Sequence, residues 1–379
     1  MKYLVAMDSF KGNLTSQEAG AIVREGILSV AQDAEVQVVP IADGGEGTVD
    51  AIVAGLGGEI VEVPVTDAIG RPIRARFGVA GKVAVIEMAA ASGLPLIEPE
   101  LRDAKAATTF GTGELVRAAL DRGCREFIVG LGGSATTDGG SGMARALGVR
   151  FLDAAGEELP PGGGGLGKLT AIDLAGLDPR LKDCSFRIAC DVDNPLCGAH
   201  GSAAIFGPQK GASPEDVAIL DRNLAHYAAI LADTIGADYA NVPGAGAAGG
   251  LSMGFMAFCG GQLEQGIDLV LDAIGFDRLA EAADIVISGE GATDYQTAYG
   301  KAPVGVCKRG AKYGKPGFII SGTLGRDYDA VYDCGVTAAL STIVCPITTE
   351  ESMARSHEML RGAAVRLTRT IEAVRRMEK

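Results

Sequence analysis

The sequence is poor in the side chains that build several common kinds of active site. Only three of its 379 residues are histidine, so we expect neither a histidine-rich zinc site nor a set of histidine relays. None of the eight cysteines forms a CxxC pair, and scattered thiols in a chain of this length indicate a reduced, cytoplasmic protein. No uncharged apolar stretch reaches 18 residues, which gives no support for a membrane span.

Positive charge is also scarce. The chain has 34 Lys and Arg against 48 Asp and Glu, a formal net charge of −14, which disfavours binding to nucleic acid or to anionic membranes. With 15 prolines and no Gly-X-Y period the chain is not collagen-like, and 47% hydrophobic residues argue against disorder. The expected partners are therefore small molecules, and the protein is expected to be a monomer or a homodimer.

Glycine is present in excess, because 55 residues are about twice the roughly 7% of an average chain. Glycine lets the backbone turn sharply or approach a ligand closely. Most of the surplus forms clusters that follow predicted strands and carry an acid, a hydroxyl, an amide or a lysine: residues 8–12, 43–47, 132–140, 190–198, 207–211, 244–250 and 289–301. The four-glycine loop at 162–165 lacks such neighbours, and we predict that it is a mobile surface loop.

The first 60 residues follow the pattern of a parallel α/β sheet. An apolar strand at Tyr3–Met7 is followed by a capping box, Thr15 with Glu18, which predicts a helix over 16–29. A second strand at Val36–Ile41 leads into a glycine loop and another helix. Three strand-length segments with intervening turns follow, and they predict an antiparallel meander that begins a different domain near residue 62.

The parallel pattern returns near residue 284 with three more strands and a closing amphipathic helix over 349–377. Two strands before the break and three after it make one doubly wound sheet. We therefore predict a two-domain α/β protein: a discontinuous flavodoxin-like domain with a parallel sheet, residues 1–62 and 284–379, and an inserted mixed α/β domain, residues 63–283. A ligand cleft is expected between them, facing the carboxyl ends of the parallel strands.

The glycine clusters favour phosphate chemistry. Backbone N–H groups at a turn and a helix start bind oxyanions, and phosphoryl transfer needs Mg²⁺ on carboxylates and a base near the acceptor hydroxyl. Any single cluster is equally well explained as a tight turn. The dinucleotide fingerprint at 244–249 is weak because no buried strand precedes it, and Gly300-Lys301 fails as a P-loop because Ala302 replaces the required Ser or Thr.

Taken together, these motifs resemble the glycerate kinases of the bacterial type. The segments DSFKG, ADGGEGT, EMAAASGL, GTGEL, GGSATTDGG, CDVDNPLCG, FGPQKGA, PGAGAAGGL and SGEGATDYQT occur in that family's order over residues 1 to about 375. The resemblance implies ATP-dependent phosphorylation of D-glycerate with Mg²⁺, commonly to the 2-phosphate, and a flavodoxin-like domain with an inserted domain. One departure is Ala292, where the family often has arginine, and it bears on how substrate or nucleotide phosphate is held.

Individual roles are hypotheses that the resemblance does not fix. The catalytic candidates are Asp191 as the base, Asp193 as its alternative, and Lys11 as the cation on the substrate carboxylate or phosphate. Glu290 and Asp294 are the candidate Mg²⁺ ligands, with Asp43 or Glu46 as an open alternative. The candidate substrate- and phosphate-binding residues are Asp8, Ser134, Thr136, Asn194, Lys210, Gln296 and Lys301.

Three other functions remain open from the sequence. One is a kinase of another small hydroxy-acid on the same scaffold. The second is a small-ligand-binding regulatory protein without catalysis, against which the acidic clusters in both halves of the chain argue. The third is a nicotinamide dehydrogenase, which is supported only by the weak glycine fingerprint.

Overall fold

The computed structural model of the chain describes residues 1–377 and has an α/β architecture. Its strands are β1 Lys2–Met7, β2 Glu35–Val38, β3 Glu59–Thr66, β4 Pro72–Ala80, β5 Val83–Glu87, β6 Glu126–Gly130, β7 Arg150–Leu152, β8 Ala171–Asp173, β9 Ser185–Ala189, β10 Gln262–Glu264, β11 Ile285–Gly289, β12 Ala292–Thr293, β13 Gly317–Ser321, β14 Thr323–Leu324 and β15 Ala338–Ser341.

Helices connect most of these strands. They are α1 Ser16–Leu28, α2 Thr48–Leu56, α3 Ala89–Ser92, α4 Phe110–Asp121, α5 Ser141–Ala146, α6 Ser202–Phe206, α7 Pro214–Ile235, α8 Ala247–Cys259, α9 Gly266–Ala273, α10 Phe276–Ala282, α11 Ala302–Lys312, α12 Thr349–Ala354 and α13 Ser356–Met377. None of the helices within residues 1–377 is both long and apolar enough to cross a membrane. The predicted closing helix is two helices, because Thr348 caps α12 and α13 starts anew at Ser356.

The chain divides into two compact units. The five-stranded unit contains Met1–Asp43, Asp50–Leu56 and the residues from Ile267 onward, and the six-stranded unit contains Gly44–Val49 and Gly57–Gly266. The boundaries predicted at residues 62 and 284 differ from this division. The strand β3 already pairs with β4 from Glu59, and α9 and α10 pack in one core cluster with β1.

The five-stranded unit is a parallel sheet in the order β15-β13-β11-β1-β2. Counted along this unit alone, that order is 5-4-3-1-2, the flavodoxin-like arrangement, and its switch point lies between β1 and β11. Two strands precede the insertion and three follow it, as predicted from the sequence.

The side chains of β1 alternate between the two faces of this sheet, and helices cover both faces. Successive side chains of a strand point to opposite faces. Tyr3, Val5 and Met7 pack with α1 and α13, whereas Leu4 and Ala6 pack with α9, α10 and α11. Burial on both faces is typical of a parallel sheet and accounts for the continuously apolar sequence of β1.

The six-stranded unit is built on a mixed sheet in the order β10-β9-β6-β5-β4-β3. The pairs β3–β4 and β4–β5 are antiparallel and the rest are parallel, which confirms the predicted meander. The prediction of a mobile surface loop at 162–165 is wrong. Gly163 is buried in a short 3₁₀ helix, and the Asn223 amide donates to the carbonyls of Gly163 and Gly164, at 3.0 Å each.

Candidate active site

Two acidic residues lie side by side at the switch point of the five-stranded sheet. The last paired residues of β1 and β11 are Met7 and Gly289, and Asp8 and Glu290 follow them directly. The backbone N–H of Asp8 donates to the Gly289 carbonyl at 2.9 Å. In a doubly wound sheet, ligands bind at the carboxyl ends of the strands beside the switch point, so these residues occupy the expected ligand position of this unit.

Asp8 is held in an environment that opposes its ionisation. Its residue is 6% exposed, and Oδ1 accepts a hydrogen bond from the Ser9 N–H at 2.7 Å. Burial, followed by the charges of Asp43 and Glu290, raises the pKa of Asp8 to about 7, against the opposing effects of the Ser9 N–H and Lys11. A carboxyl group with a pKa near neutrality is suited to accept and release a proton.

Glu290 is also buried, at 8% exposure, and hydroxyl groups hold one of its oxygens. Thr293 Oγ1 lies 3.0 Å and Thr297 Oγ1 2.7 Å from Glu290 Oε1. Burial raises the pKa of Glu290, while the Thr297 hydroxyl and the Lys301 charge act in the opposite direction. Two buried carboxyl groups on adjacent strand ends, one of which raises the pKa of the other, favour a cation near them.

The loop after β11 brings further predicted residues to this end of the sheet. Asp294 starts a short 3₁₀ helix, where its Oδ1 accepts from the Gln296 N–H at 2.9 Å. Lys301 Nζ lies 4.0 Å from Asp294 Oδ1, and Lys301 is the N-cap residue of α11. Gly300 precedes it with φ +105°, a conformation that side chains other than glycine rarely adopt. The positive end of the α11 dipole and the Lys301 ammonium therefore lie at the start of the same helix.

The loop after β1 approaches the loop after β11. A Cβ atom at Gly291 would lie 3.8 Å from the Phe10 Cα and 3.9 Å from the Lys11 nitrogen. The Lys11 side chain is exposed, and its charge lowers the pKa of Asp8. Of the twelve predicted site residues, the structure thus brings together Asp8, Lys11, Glu290, Asp294, Gln296 and Lys301 in the five-stranded unit.

The predicted residues of the CDVDNP segment follow β9 in the six-stranded unit. Asp191 and Asp193 are exposed, and Asp191 Oδ1 accepts from the Gly266 N–H at 2.8 Å. The Asn194 side chain donates to the His200 carbonyl at 2.8 Å. Asp191 and Asn194 therefore both help to fix the backbone of their own unit.

The remaining predicted residues lie in or against the GGSATTDGG loop after β6. Ser134 is 9% exposed and Thr136 is fully buried, and the Thr136 hydroxyl has no hydrogen-bond partner among the described residues. Lys210 is 2% exposed, and its ammonium donates to the Thr136 carbonyl at 2.6 Å. Burial lowers the pKa of Lys210 to about 7, against the charge of Asp138. Lys210 thus contacts the buried side of this loop.

The side chains that orient Glu290 were not recognised from the sequence. Thr293, Thr297 and Ser321 are fully buried, and Thr293 Oγ1 lies 2.6 Å from Ser321 Oγ. The one local signal was Thr297, three residues after Asp294, because this spacing is that of a capping pair. Ser321 is 31 residues from Glu290 in sequence, and the pairings of β11 with β13 and of β12 with β14 bring it to Thr293.

The acidic group at the switch point fits a magnesium ion in its chemistry. Within residues 1–377, no three His, Cys, Asp or Glu side chains are arranged to bind a metal ion by themselves. Magnesium in proteins is commonly held by one or two carboxylates, with water and substrate phosphates completing the coordination. Glu290, with a side-chain oxygen outside the hydroxyl network, and the nearby Asp294 supply that kind of donor set.

Comparison with known proteins identifies closely similar sequences over the whole chain. The glycerate kinase family model matches residues 3–372. Glycerate kinase of Bacillus subtilis (strain 168) is 44% identical over 379 residues, covering 100% of this chain and 99% of the relative. Glycerate 2-kinase of Escherichia coli (strain K12) is 43% identical over 373 residues, covering 98% of each.

A solved structure agrees with these sequence matches. The crystal structure of a candidate glycerate kinase 2 from Salmonella typhimurium LT2 is 43% identical, with a TM-score of 0.91 and 99% of both chains covered.

Proposed function

The chain belongs to the glycerate kinase family, and from this premise we propose that it transfers the γ-phosphoryl group of ATP to the 2-hydroxyl of D-glycerate. The family assignment makes the protein a kinase. The choice of the 2-hydroxyl is supported by the Escherichia coli relative, whose name is glycerate 2-kinase. The observation that carries the chemistry is the pair of buried acids, Asp8 and Glu290, at the switch point of the parallel sheet.

Asp8 takes the proton from the attacking hydroxyl in this proposal. A general base works best when its pKa lies near the operating pH, and burial beside Asp43 and Glu290 raises the pKa of Asp8 to about 7. The prediction from the sequence gives this step to Asp191, with Asp193 as the alternative. Both of those residues are exposed, and one oxygen of Asp191 accepts the Gly266 N–H, so we favour Asp8.

Glu290 and Asp294 would hold Mg²⁺. When it is bound, the ion neutralises charge on the transferring phosphate and orients it. The chain's own contribution is to keep the Glu290 carboxylate fixed by two hydroxyl groups and to place Lys301 at the start of α11. In this position Lys301 and the helix N-terminus bind phosphate oxygens, with Gln296 as a neighbouring donor.

Lys11 binds the carboxylate of glycerate. Its exposed side chain lies in the loop after β1 and lowers the pKa of Asp8, so the cation is close to the proposed base. A lysine on the substrate carboxylate orients the hydroxyl that is to be phosphorylated. Ser134, Thr136 and Asn194 remain candidates for substrate or phosphate contacts, and Lys210 would act by holding the Thr136 carbonyl.

An assay coupled to enolase tests the reaction and its position. The protein is incubated with Mg·ATP and D-glycerate, with enolase present and phosphoglycerate mutase absent. Immediate formation of phosphoenolpyruvate together with ADP supports the proposal. ADP without phosphoenolpyruvate indicates the 3-phosphate, and absence of ADP contradicts glycerate kinase activity. L-Glycerate and other small hydroxy-acids are run in parallel, because faster turnover with one of them would favour the alternative kinase.

A further inference from the structure

The protein donates hydrogen bonds to one carboxylate oxygen of Glu290 and not to the other. Oε1 receives the hydroxyl groups of Thr293 and Thr297, at 3.0 and 2.7 Å. Within residues 1–377 no hydrogen bond reaches Oε2. Glu290 is 8% exposed, and Oε2 is not among the side-chain atoms that are both buried and without a partner. This oxygen is therefore accessible to a ligand.

The directions of the hydrogen bonds follow from counting protons. Thr297 Oγ1 accepts from the Asp294 N–H at 3.2 Å, so its single proton is free to point to Glu290. A carboxylate only accepts, so Thr293 also donates to Glu290. The 2.6 Å contact between Thr293 and Ser321 is then donated by Ser321. Hydrogen bonds therefore run from Ser321 to Thr293 and from Thr293 to Glu290, and a separate one runs from Thr297 to Glu290. We call these three hydroxyl groups the hydroxyl relay.

The backbone around this relay is held by the β12–β14 pairing. Gly322 N–H donates to the Glu290 carbonyl at 3.1 Å, and Gly325 N–H donates to the Thr293 carbonyl at 2.7 Å. Ser321 ends β13 and is fixed in turn, because Thr342 N–H donates to its carbonyl at 2.8 Å. The three hydroxyl-bearing residues are fully buried, so water does not compete for these hydrogen bonds.

We propose that Thr293, Thr297 and Ser321 are positioning residues that fix Glu290 so that it binds a divalent cation through Oε2 alone. This inference rests on the proposed function, since it takes Glu290 as a ligand of the Mg²⁺ that accompanies the nucleotide. No cluster of three metal-binding side chains exists within residues 1–377, so the orientation of each of the two proposed ligands, Glu290 and Asp294, matters for the affinity of the site. Hydrogen bonds that orient a metal ligand commonly raise metal affinity about 10- to 100-fold.

The test measures metal affinity without turnover. Mn²⁺ binding is followed by the electron paramagnetic resonance signal of free Mn²⁺, with saturating ADP and no glycerate. Thr297→Val and Thr293→Val are expected to weaken Mn²⁺ binding about tenfold, and Ser321→Ala less, because it acts one hydrogen bond further away. Thr297→Ser and Thr293→Ser keep the hydroxyl and are expected to restore most of the affinity. Glu290→Gln removes the ligand charge and is expected to weaken binding at least as much as either valine variant.

The control is Thr323→Val in the neighbouring strand β14, where the threonine is exposed, and it is expected to bind Mn²⁺ like the wild type. Thermal unfolding of each variant identifies variants that have lost their fold. Wild-type affinity in both valine variants or in Glu290→Gln overturns the inference, and so does a loss that the serine variants do not recover. Failure of the proposed function is separate: the wild type would then form no ADP with D-glycerate, while the ranking of Mn²⁺ affinities is unaffected.

Discussion

Asp8 and Glu290 are the first residues beyond the Met7–Gly289 pair, at the carboxyl ends of two adjacent parallel strands. Both are buried, and burial, then the charge of Asp43 and then that of Glu290 raise the pKa of Asp8. Two acids placed together in this way destabilise the folded protein unless a cation or a proton compensates. Such an arrangement is typical of a functional site, because strongly perturbed carboxyl groups cluster where a protein binds or reacts.

Replacing Asp8 by asparagine is expected to stabilise the protein. Folded Asp8 keeps its proton up to a pKa of about 7, whereas an ordinary aspartate loses it near 3.8. Between these pH values the folded state binds more protons than the unfolded state, so the free energy of unfolding falls as pH rises. Above pH 7 this loss of stability persists in the wild type. Asp8→Asn avoids it and is expected to be about 4 kcal/mol more stable at pH 8, because the pKa rises from 3.8 to about 7 and each pKa unit corresponds to about 1.4 kcal/mol.

Thermal or urea unfolding at several pH values checks this expectation. The stability difference between Asp8→Asn and the wild type should grow from pH 5 to pH 8. The groups that face Asp8 are Asp43, Glu290 and Lys11, and all are unchanged in the variant. Asp33→Asn, an exposed aspartate after α1, controls for the loss of one negative charge. A difference that does not vary with pH would contradict the buried, proton-binding state of Asp8.

Lys301→Met is expected to weaken nucleotide binding. The residue occupies the N-cap position of α11 and its ammonium lies 4.0 Å from Asp294 Oδ1, and in the proposed site this ammonium binds a phosphate. Loss of one charged hydrogen bond should raise the KM for ATP by about tenfold or more, with less effect on the KM for D-glycerate. Steady-state kinetics with each substrate varied in turn measures both values. The control is Lys312→Met, at the other end of the same helix and exposed, which should behave like the wild type. An unchanged KM for ATP in Lys301→Met would show that Lys301 does not bind the phosphate.

Lys210→Met tests whether Lys210 is a buried structural residue. In the folded protein burial lowers the pKa of Lys210 from 10.5 to about 7. The unfolded state therefore binds more protons between pH 7 and pH 10, and the contribution of Lys210 to stability increases as pH rises. The wild type should gain about 3 kcal/mol relative to Lys210→Met over this range. Chemical unfolding at pH 7 and pH 9.5 measures it, and equal differences at the two pH values would show that Lys210 is solvated.

The sequence predicted the first helix and the five-stranded sheet because the signals for them are local. The Thr15–Glu18 capping box predicted helix α1 within one residue at each end, and the two-plus-three strand count predicted the five-stranded sheet. It also predicted Asp8 and Glu290 as site residues, since each directly follows an apolar strand. Strand ends of a parallel sheet meet at one edge, so both acids were expected at the same edge. That they are neighbours follows from the pairing of β1 with β11, which no local pattern encodes.

The parts of the site that were missed depend on tertiary contacts. Ser321 reaches Thr293 through strand pairing across 28 residues, which no local pattern encodes. The burial of Lys210 runs against the general preference of lysine for the surface and arises from packing around the Thr136 carbonyl. The glycines at 162–165 looked like a flexible loop because their partner, Asn223, lies about sixty residues away.

The most direct test of the account is the turnover number of Asp8→Asn beside that of Asp191→Asn, measured as ADP formation with saturating Mg·ATP and D-glycerate. If Asp8 accepts the hydroxyl proton, its loss should lower kcat by about 10²- to 10⁴-fold, while Asp191→Asn, which alters an exposed residue tied to the Gly266 N–H, should retain most activity. Thermal unfolding of both variants confirms that they are folded. Near-normal kcat in Asp8→Asn, or a selective loss in Asp191→Asn, would contradict the assignment of the chemistry to the Asp8–Glu290 end of the sheet.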